Sequence, residues 1–276
     1  MDIPEPGVRR ARGSNKSATA LRALRVLEIL GGSRAPVSVA EVAGGIGADR
    51  STAYRMLMTL IDAGYVVRDA TARNYQLSYR ILALGKWLLS DDEQSELIIA
   101  CLKDISDRTG ETVHYSVLDR DAAALLFRAK GTQLVTVDFQ IGDRAPLHCT
   151  SIGKLLLAFQ DVRLVERVIE RGLPKVARNT ITDPQAFRAE LQRIHVQGYS
   201  YDDLEFEDDM RCVAVPVFEK GGVVKGGISL SGPSSRYTPQ KLDELKDIAV
   251  AAARRLSQQL GAGWARTVVQ TRDRFA

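Results

Sequence analysis

The stretch DRSTAYRMLMTLIDAGYVVRDATARNYQL, residues 49–77, decides how the N-terminal third is read. Asp49 is placed to cap a helix in which Ala53, Met56, Leu57, Leu60 and Ile61 recur every three or four residues. That spacing gathers apolar side chains on one helical face. Gly64 stops the helix, and residues 65–77 read as two short strands joined by a polar turn. Away from the apolar stripe lie Arg50, Ser51, Tyr54, Arg55 and Thr59, and no acidic residue falls between Asp49 and Asp62. A helix facing only solvent usually mixes in Glu or Asp. A face made of donors suits a DNA major groove, where Arg, Ser and Thr meet base edges and phosphates. Thr52, in the first turn, joins these candidates, and Arg68 and Arg73 flank the turn between the strands as phosphate contacts.

Two helices precede this stretch. The first spans Ser17 to Leu30, with Ala20, Leu24, Leu27 and Leu30 predicted to share a face and Gly31-Gly32 to end it. Ser38 stands three residues before Glu41, a capping box opening a short helix with Val39, Val42, Ala43 and Ile46 on its apolar side. Three short helices and a hairpin within about sixty residues make a winged helix-turn-helix over 17–79.

Charge agrees with that placement. Residues 1–80 carry 12 Lys and Arg against 7 Asp and Glu, whereas residues 81–276 carry 26 against 27. The whole basic surplus of the 276-residue chain therefore sits beside the expected recognition helix, where phosphate neutralisation would use it. Residues 1–16, rich in Pro, Gly, Arg and Ser, are expected to form a disordered basic tail. The longest apolar run is Leu97 to Leu102, far short of a membrane span. The N-terminal residues lack the apolar core of a signal peptide. Three widely spaced cysteines (Cys101, Cys149, Cys212) make neither a disulfide framework nor a CxxC knuckle. A cytoplasmic, reduced protein without membrane contact is the expectation.

Beyond the hairpin, Arg80 to Ser90 reads as a linker helix, and Ser90 with Glu93 as a second capping box. The helix it opens carries Leu97, Ile98, Cys101, Leu102 and Ile105 and closes at Thr109-Gly110. From there strand-like segments (ETVHYSVLDR, AALLFRAK, QLVTVDFQI, MRCVAVPVFE, VVKGGISLSG) alternate with helices at 150–159, 161–170, 184–196 and 238–260. This order fits an antiparallel sheet with helices on its faces better than a doubly wound parallel sheet, giving an α+β chain. The second domain is placed at 91–261, with a loose tail over 262–276.

DRSTAYRMLMTLIDAGYV followed by NYQLSYRILALG resembles the DNA-binding half of the IclR-type bacterial transcription regulators. The second domain carries TGETVHYSVLDR, APLHCTSIGKLLLA, GYSYDDLEFEDDMRCVAVPVF and GGISLSGPSSRYT in the order and spacing of that family's effector domain. The resemblance implies a GAF-like C-terminal domain that takes a small organic acid, aromatic or hydroxylated. It further implies a homodimer or homotetramer on an operator, mostly as a repressor, with no cofactor and no catalytic residue. By motif position it places Ser151 and Ile152 at a helix start whose free N–H groups can meet a carboxylate. Asp202, Cys212, Ser229 and Ser231 fall on the other pocket positions. An acid beside an anion-binding helix start repels an anion unless it meets a hydroxyl donor, so a hydroxylated carboxylate would satisfy both ends.

Without the resemblance these residues read differently. Cys212 lies in an apolar strand and reads as core, Ser229 and Ser231 read as solvated hydroxyls on a strand face, and Asp202 belongs to a run that reads as a solvated acidic loop. The sequence also departs from the family: Leu204 interrupts the acidic run, and Asp209 replaces a glycine, where it is expected to tolerate left-handed backbone. Two alternatives remain open. His148, Cys149, Asp202 and Cys212 could hold a metal if they converge. His148 beside Cys149 could instead make the nucleophile pair of a hydrolase, although sequence neighbours seldom face each other. Gly153-Lys154 is no P-loop, because Leu155 follows where Ser or Thr is needed.

Overall fold

The computed structural model describes residues 17–69, 74–85, 93–137 and 139–262. The expected basic tail, Arg73, the later part of the linker helix, the Ser90 cap and the C-terminal tail beyond 262 lie outside the described residues. The chain divides into two compact units, residues 1–90 and 91–276.

The first unit contains α1 (Ala18–Gly31), α2 (Val39–Gly45), α3 (Arg50–Asp62), β1 (Val66–Arg68) and β2 (Tyr75–Leu77). Each helix starts where its cap places it. The side chains of Ser17, Ser38 and Asp49 accept from the N–H groups of Ala20, Glu41 and Thr52, and Ser38 with Glu41 completes the capping box. Strands β1 and β2 pair antiparallel, and Val37 adds a bridge to Tyr75. Val26, Leu30, Val42, Ala53, Leu57, Leu60, Val66 and Tyr75 form the core. The expected face of α1 needs correcting. Leu24 is 57% exposed, and Val26 with Leu30 turns inward instead, supported by Leu27 and Ile29. Periodicity alone admitted both faces, and the contacts with α2 and β2 select one. After Ser78 caps a 3-10 turn at Tyr79–Ile81, only α4 (Leu82–Gly85) of the expected linker helix falls within the described residues.

The second unit opens with α5 (Glu93–Thr109) and builds one sheet from β3 (Val113–Asp119), β4 (Ala122–Ala129), β5 (Arg144–Pro146), β6 (Ser200–Asp203), β7 (Met210–Phe218) and β8 (Val224–Pro233). The strand order is β5-β4-β3-β8-β7-β6, antiparallel throughout. Its helices are α6 (Ser151–Ala158), α7 (Val162–Glu170), α8 (Pro184–Gln197) and α9 (Pro239–Gln259). Alternation along the strands sends Val113, Tyr115, Val213, Val215, Ile228 and Leu230 to one face, under α5 and α9. The other face carries Ala123 and Ala214 beneath α6, α7 and α8.

Two expectations fail here. QLVTVDFQI forms no strand among the described residues, and Leu134 is fully exposed, so its apolar alternation has no partner strand to bury against. Conversely, SYDD, read in part as solvated acidic loop, is the edge strand β6, and Asp202 is fully buried in it.

Candidate functional site

On the first unit, Arg50, Ser51, Tyr54, Arg55 and Thr59 are all exposed, as a surface meant for a partner requires. Thr52 is half-buried, and its hydroxyl donates to Asp49 Oδ2 at 2.8 Å, so it belongs to the helix cap as much as to the outer face. Arg55 Nη2 reaches Thr52 Oγ1 at 3.4 Å, and Thr59 Oγ1 donates to the Arg55 carbonyl. Arg68 is exposed at the end of β1.

In the second unit, Ser151, Ile152, Asp202, Cys212, Ser229 and Ser231 all line one cavity of about 230 Å3. Strand register shows why. Asp202, Cys212 and Ser231 stand opposite one another across β6, β7 and β8, and Ser229 with His114 continues the same face one row on, across β8 and β3. Cross-strand partners share a face, so residues far apart in sequence make one polar floor. The serines read as solvated are 5% exposed, and their solvent is the cavity.

Helix α6 supplies the roof. Thr150 caps it, its hydroxyl accepting from Gly153 N–H at 3.0 Å, while Lys154 N–H begins the helical ladder on the Thr150 carbonyl. The N–H groups of Ser151 and Ile152 precede that ladder, and both residues line the cavity at the positive end of the helix dipole. Gly153 is required by packing: a Cβ there would stand 2.7 Å from Leu147 Cα and overlap the Pro146 carbonyl. On the sheet side, Gly227 leaves room for Ile152 and Leu155.

The acid at this site is under strong constraint. Asp202 Oδ1 accepts from Glu205 N–H at 2.8 Å and Phe206 N–H at 3.3 Å, closing a turn in which Leu204 takes a left-handed φ of 63°. Leu204, and not Asp209, therefore bears the left-handed backbone, which corrects the expectation for Asp209. Oδ2 of Asp202 is buried and accepts from none of these N–H groups, and the Cys212 thiol is a hydrogen-bonding neighbour of the carboxyl. Burial pushes the Asp202 carboxyl up to about 6, against the opposing pull of the two N–H groups and Lys154. Lys154 is fully buried and ion-paired with Glu205, with Glu190 at 3.5 Å. Burial raises Glu205 to about 7 even with Lys154 beside it. One cation thus serves several acids behind the cavity wall. The Cys212 thiol, flanked by Asp202, Ser231 and Ser151, is held protonated by complete burial.

The two alternative chemistries find little support. His148 Nε2 lies 3.0 Å from the Pro174 carbonyl, and burial with Asp202 and Glu205 nearby raises Cys149 to about 12, which suppresses a thiolate nucleophile. Among the described residues no group of three or more His, Cys, Asp or Glu is arranged to hold a metal ion. Nor is any described helix long and apolar enough to cross a membrane.

Several lining residues escaped the sequence reading: His114, Ser116, Leu125, Phe139, Arg144, Phe206 and Met210. A period-two alternation places His114 and Ser116 together, yet nothing local says which face of that strand meets a cavity.

Comparison with known proteins accords with this layout. Residues 19–70 match the family described as IclR helix-turn-helix domain, and residues 83–258 match Bacterial transcriptional regulator IclR C-terminal. The chain is 31% identical over 245 residues to the HTH-type transcriptional regulator KdgR of Escherichia coli (strain K12), covering 88% of this chain and 93% of the relative. It is 26% identical over 260 residues to the Transcriptional repressor IclR of the same organism, covering 93% and 95%. Among solved structures, Thermotoga maritima IclR superposes with a TM-score of 0.73 at 29% identity, covering 88% of this chain and 99% of that one.

Proposed function

The chain belongs to the IclR family of DNA-binding bacterial transcription regulators, with an effector-binding domain at its C-terminal side; from that premise we propose that it is a cytoplasmic repressor, not an enzyme, whose operator affinity is set by a small organic acid held in the α6 cavity. A homodimer or homotetramer presents two α3 helices to a near-palindromic operator. Arg50, Ser51, Tyr54 and Arg55 enter the major groove, Thr52 steadies the first turn, and Arg68 and Arg73 take phosphates. The effector carboxylate accepts from Ser151 and Ile152 N–H, and Ser229, Ser231 and Cys212 complete its surroundings. Asp202 Oδ2 accepts from a hydroxyl of the same molecule.

The observation that carries this reading is the pairing of opposites in one cavity: the first turn of a helix, at Ser151 and Ile152, and the buried carboxylate of Asp202. An organic acid that also bears a hydroxyl satisfies both, whereas a metal ion meets only the carboxylate and a plain hydrocarbon meets neither. Calorimetry of the full chain against aromatic and hydroxylated carboxylic acids, paired with operator-shift assays, tests it. Ser151→Ala should leave binding nearly intact and Ser151→Pro should abolish it, because proline removes the N–H donor. Equal effects of the two variants would exclude the helix start as the carboxylate anchor.

A further inference from the structure

Behind the cavity wall the charges do not balance. Lys154 comes from α6, one turn beyond the helix start, and is fully buried. Its Nζ is ion-paired with Glu205 and lies 3.5 Å from Glu190 Oε1. Glu190, on α8, has a cation of its own in Arg193 at 2.7 Å, which reaches solvent. Glu205 and Asp202 are left with Lys154 as their shared cation, and both acids are buried. The Glu205 N–H donates to Asp202 Oδ1, which holds the two close together. With both ionised, the set holds one carboxylate more than Lys154 can neutralise.

The surroundings of this set are poor in compensating charge. The thiols of Cys149 and Cys212 face the two acids and are kept protonated by burial. His148, beside Cys149, meets the Pro174 carbonyl through Nε2. Arg144 lines the cavity, but its guanidinium is occupied by the carboxylates of Asp119 and Asp121. Glu205 Oε2 is buried and accepts no hydrogen bond from any described residue. A proton on Oε2 removes the excess charge and leaves Oε1 to keep Lys154.

We propose that the effector anion binds together with a proton, taken from solvent by Glu205, so that operator control responds to pH as well as to effector concentration. This rests on the organic-acid reading above. The arriving carboxylate sits at Ser151 and Ile152, on the same helix as Lys154, and brings a further negative charge to a poorly hydrated region. A like charge nearby raises the proton affinity of the carboxyl that is easiest to neutralise. Burial already raises Glu205 to about 7, above Asp202 at about 6. Glu205 therefore takes the proton, and Asp202 stays ionised to accept the effector hydroxyl. The bound state holds the proton more tightly than the free state. Affinity is therefore greatest below the free value of Glu205 and falls as pH rises above it.

The test is calorimetry of the full chain with 4-hydroxybenzoate, 3-hydroxybutyrate and 6-hydroxyhexanoate, whose carboxyls are ionised throughout about pH 6.5 to 8. Each titration is run in two buffers of unlike protonation enthalpy, which counts the protons exchanged. Slightly above neutral pH, about half to one proton should enter with each bound acid, and affinity should fall about threefold to tenfold per pH unit. Glu205→Gln, which cannot titrate, should bind without proton uptake. Glu190→Gln should keep the uptake, and so should His114→Gln, although His114 lines the cavity as a rival titrating group. Wild-type binding without buffer dependence would overturn the proposal while leaving the organic-acid reading in place, and that measurement needs no variant to fold. Uptake that persists in Glu205→Gln, or that vanishes in His114→Gln, would overturn the assignment to Glu205. If none of the three acids binds, the organic-acid reading itself falls and takes this proposal with it.

Discussion

The two units differ in how they make a surface for a partner. In the first, one helix suffices: α3 buries Ala53, Leu57 and Leu60 and turns Arg50, Tyr54 and Arg55 outward. In the second, four strands and a capped helix converge, and Asp202, Cys212, Ser231, Ser229 and His114 meet only through cross-strand register. The outward surface is set by local periodicity and costs little burial. The inward one depends on global pairing and needs a buried cation, Lys154, behind it. The units should therefore respond differently to substitution: in the first, binding should change with stability kept, whereas in the second the two should move together.

The largest effect is expected at Lys154. Lys154→Met leaves the buried Glu205 without its cation, whereas Glu190 keeps Arg193, and this should cost about 3–5 kcal/mol of stability. Chemical denaturation would measure it, and a loss below about 1 kcal/mol, the scale of an exposed pair, would show that the cluster is hydrated. Next comes Arg55→Ala, expected to lower specific operator affinity by about 1–3 kcal/mol with the melting temperature unchanged. Undiminished operator binding in both Arg50→Ala and Arg55→Ala would remove α3 as the reading helix and with it the contrast between the units.

The smallest expected effect concerns pH. Burial holds Asp202 up near about 6 and Glu205 near about 7 in the folded chain, above their ordinary 3.8 and 4.5. A carboxyl raised on folding favours the folded state fully below its unfolded value, and that advantage fades as pH climbs through the folded value. The melting temperature should therefore fall between mildly acidic pH and slightly above neutral. Glu205→Gln should flatten the upper part of that fall, because glutamine does not titrate. A variant that follows the wild-type slope would assign the dependence to other groups.

How far the sequence could be read follows the same division. The caps Ser38 and Asp49, the helix lengths and the hairpin of the first unit depend on neighbours three or four residues away, and they were legible. The exposed side of α1 was not, because Leu21 and Leu24 continue an apolar pattern that the fold leaves in solvent. In the second unit the six candidate pocket residues came from motif resemblance, since taken singly each reads as core, solvated strand or acidic loop. His114 and Ser116 carried no such mark.

The sequence by itself determined the helices, most of the strands and the family, because periodicity, caps and ordered motifs are properties of the chain read along its length. Only the tertiary structure decided that QLVTVDFQI forms no strand among the described residues, that SYDD is an edge strand holding a buried acid, and that Leu204 bears the left-handed turn. It alone brought the carboxylate of Asp202, the thiol of Cys212 and the hydroxyl of Ser231 into one row. The reason is physical. A strand's register and its buried face are fixed by the strands beside it, and those lie tens of residues away along the chain.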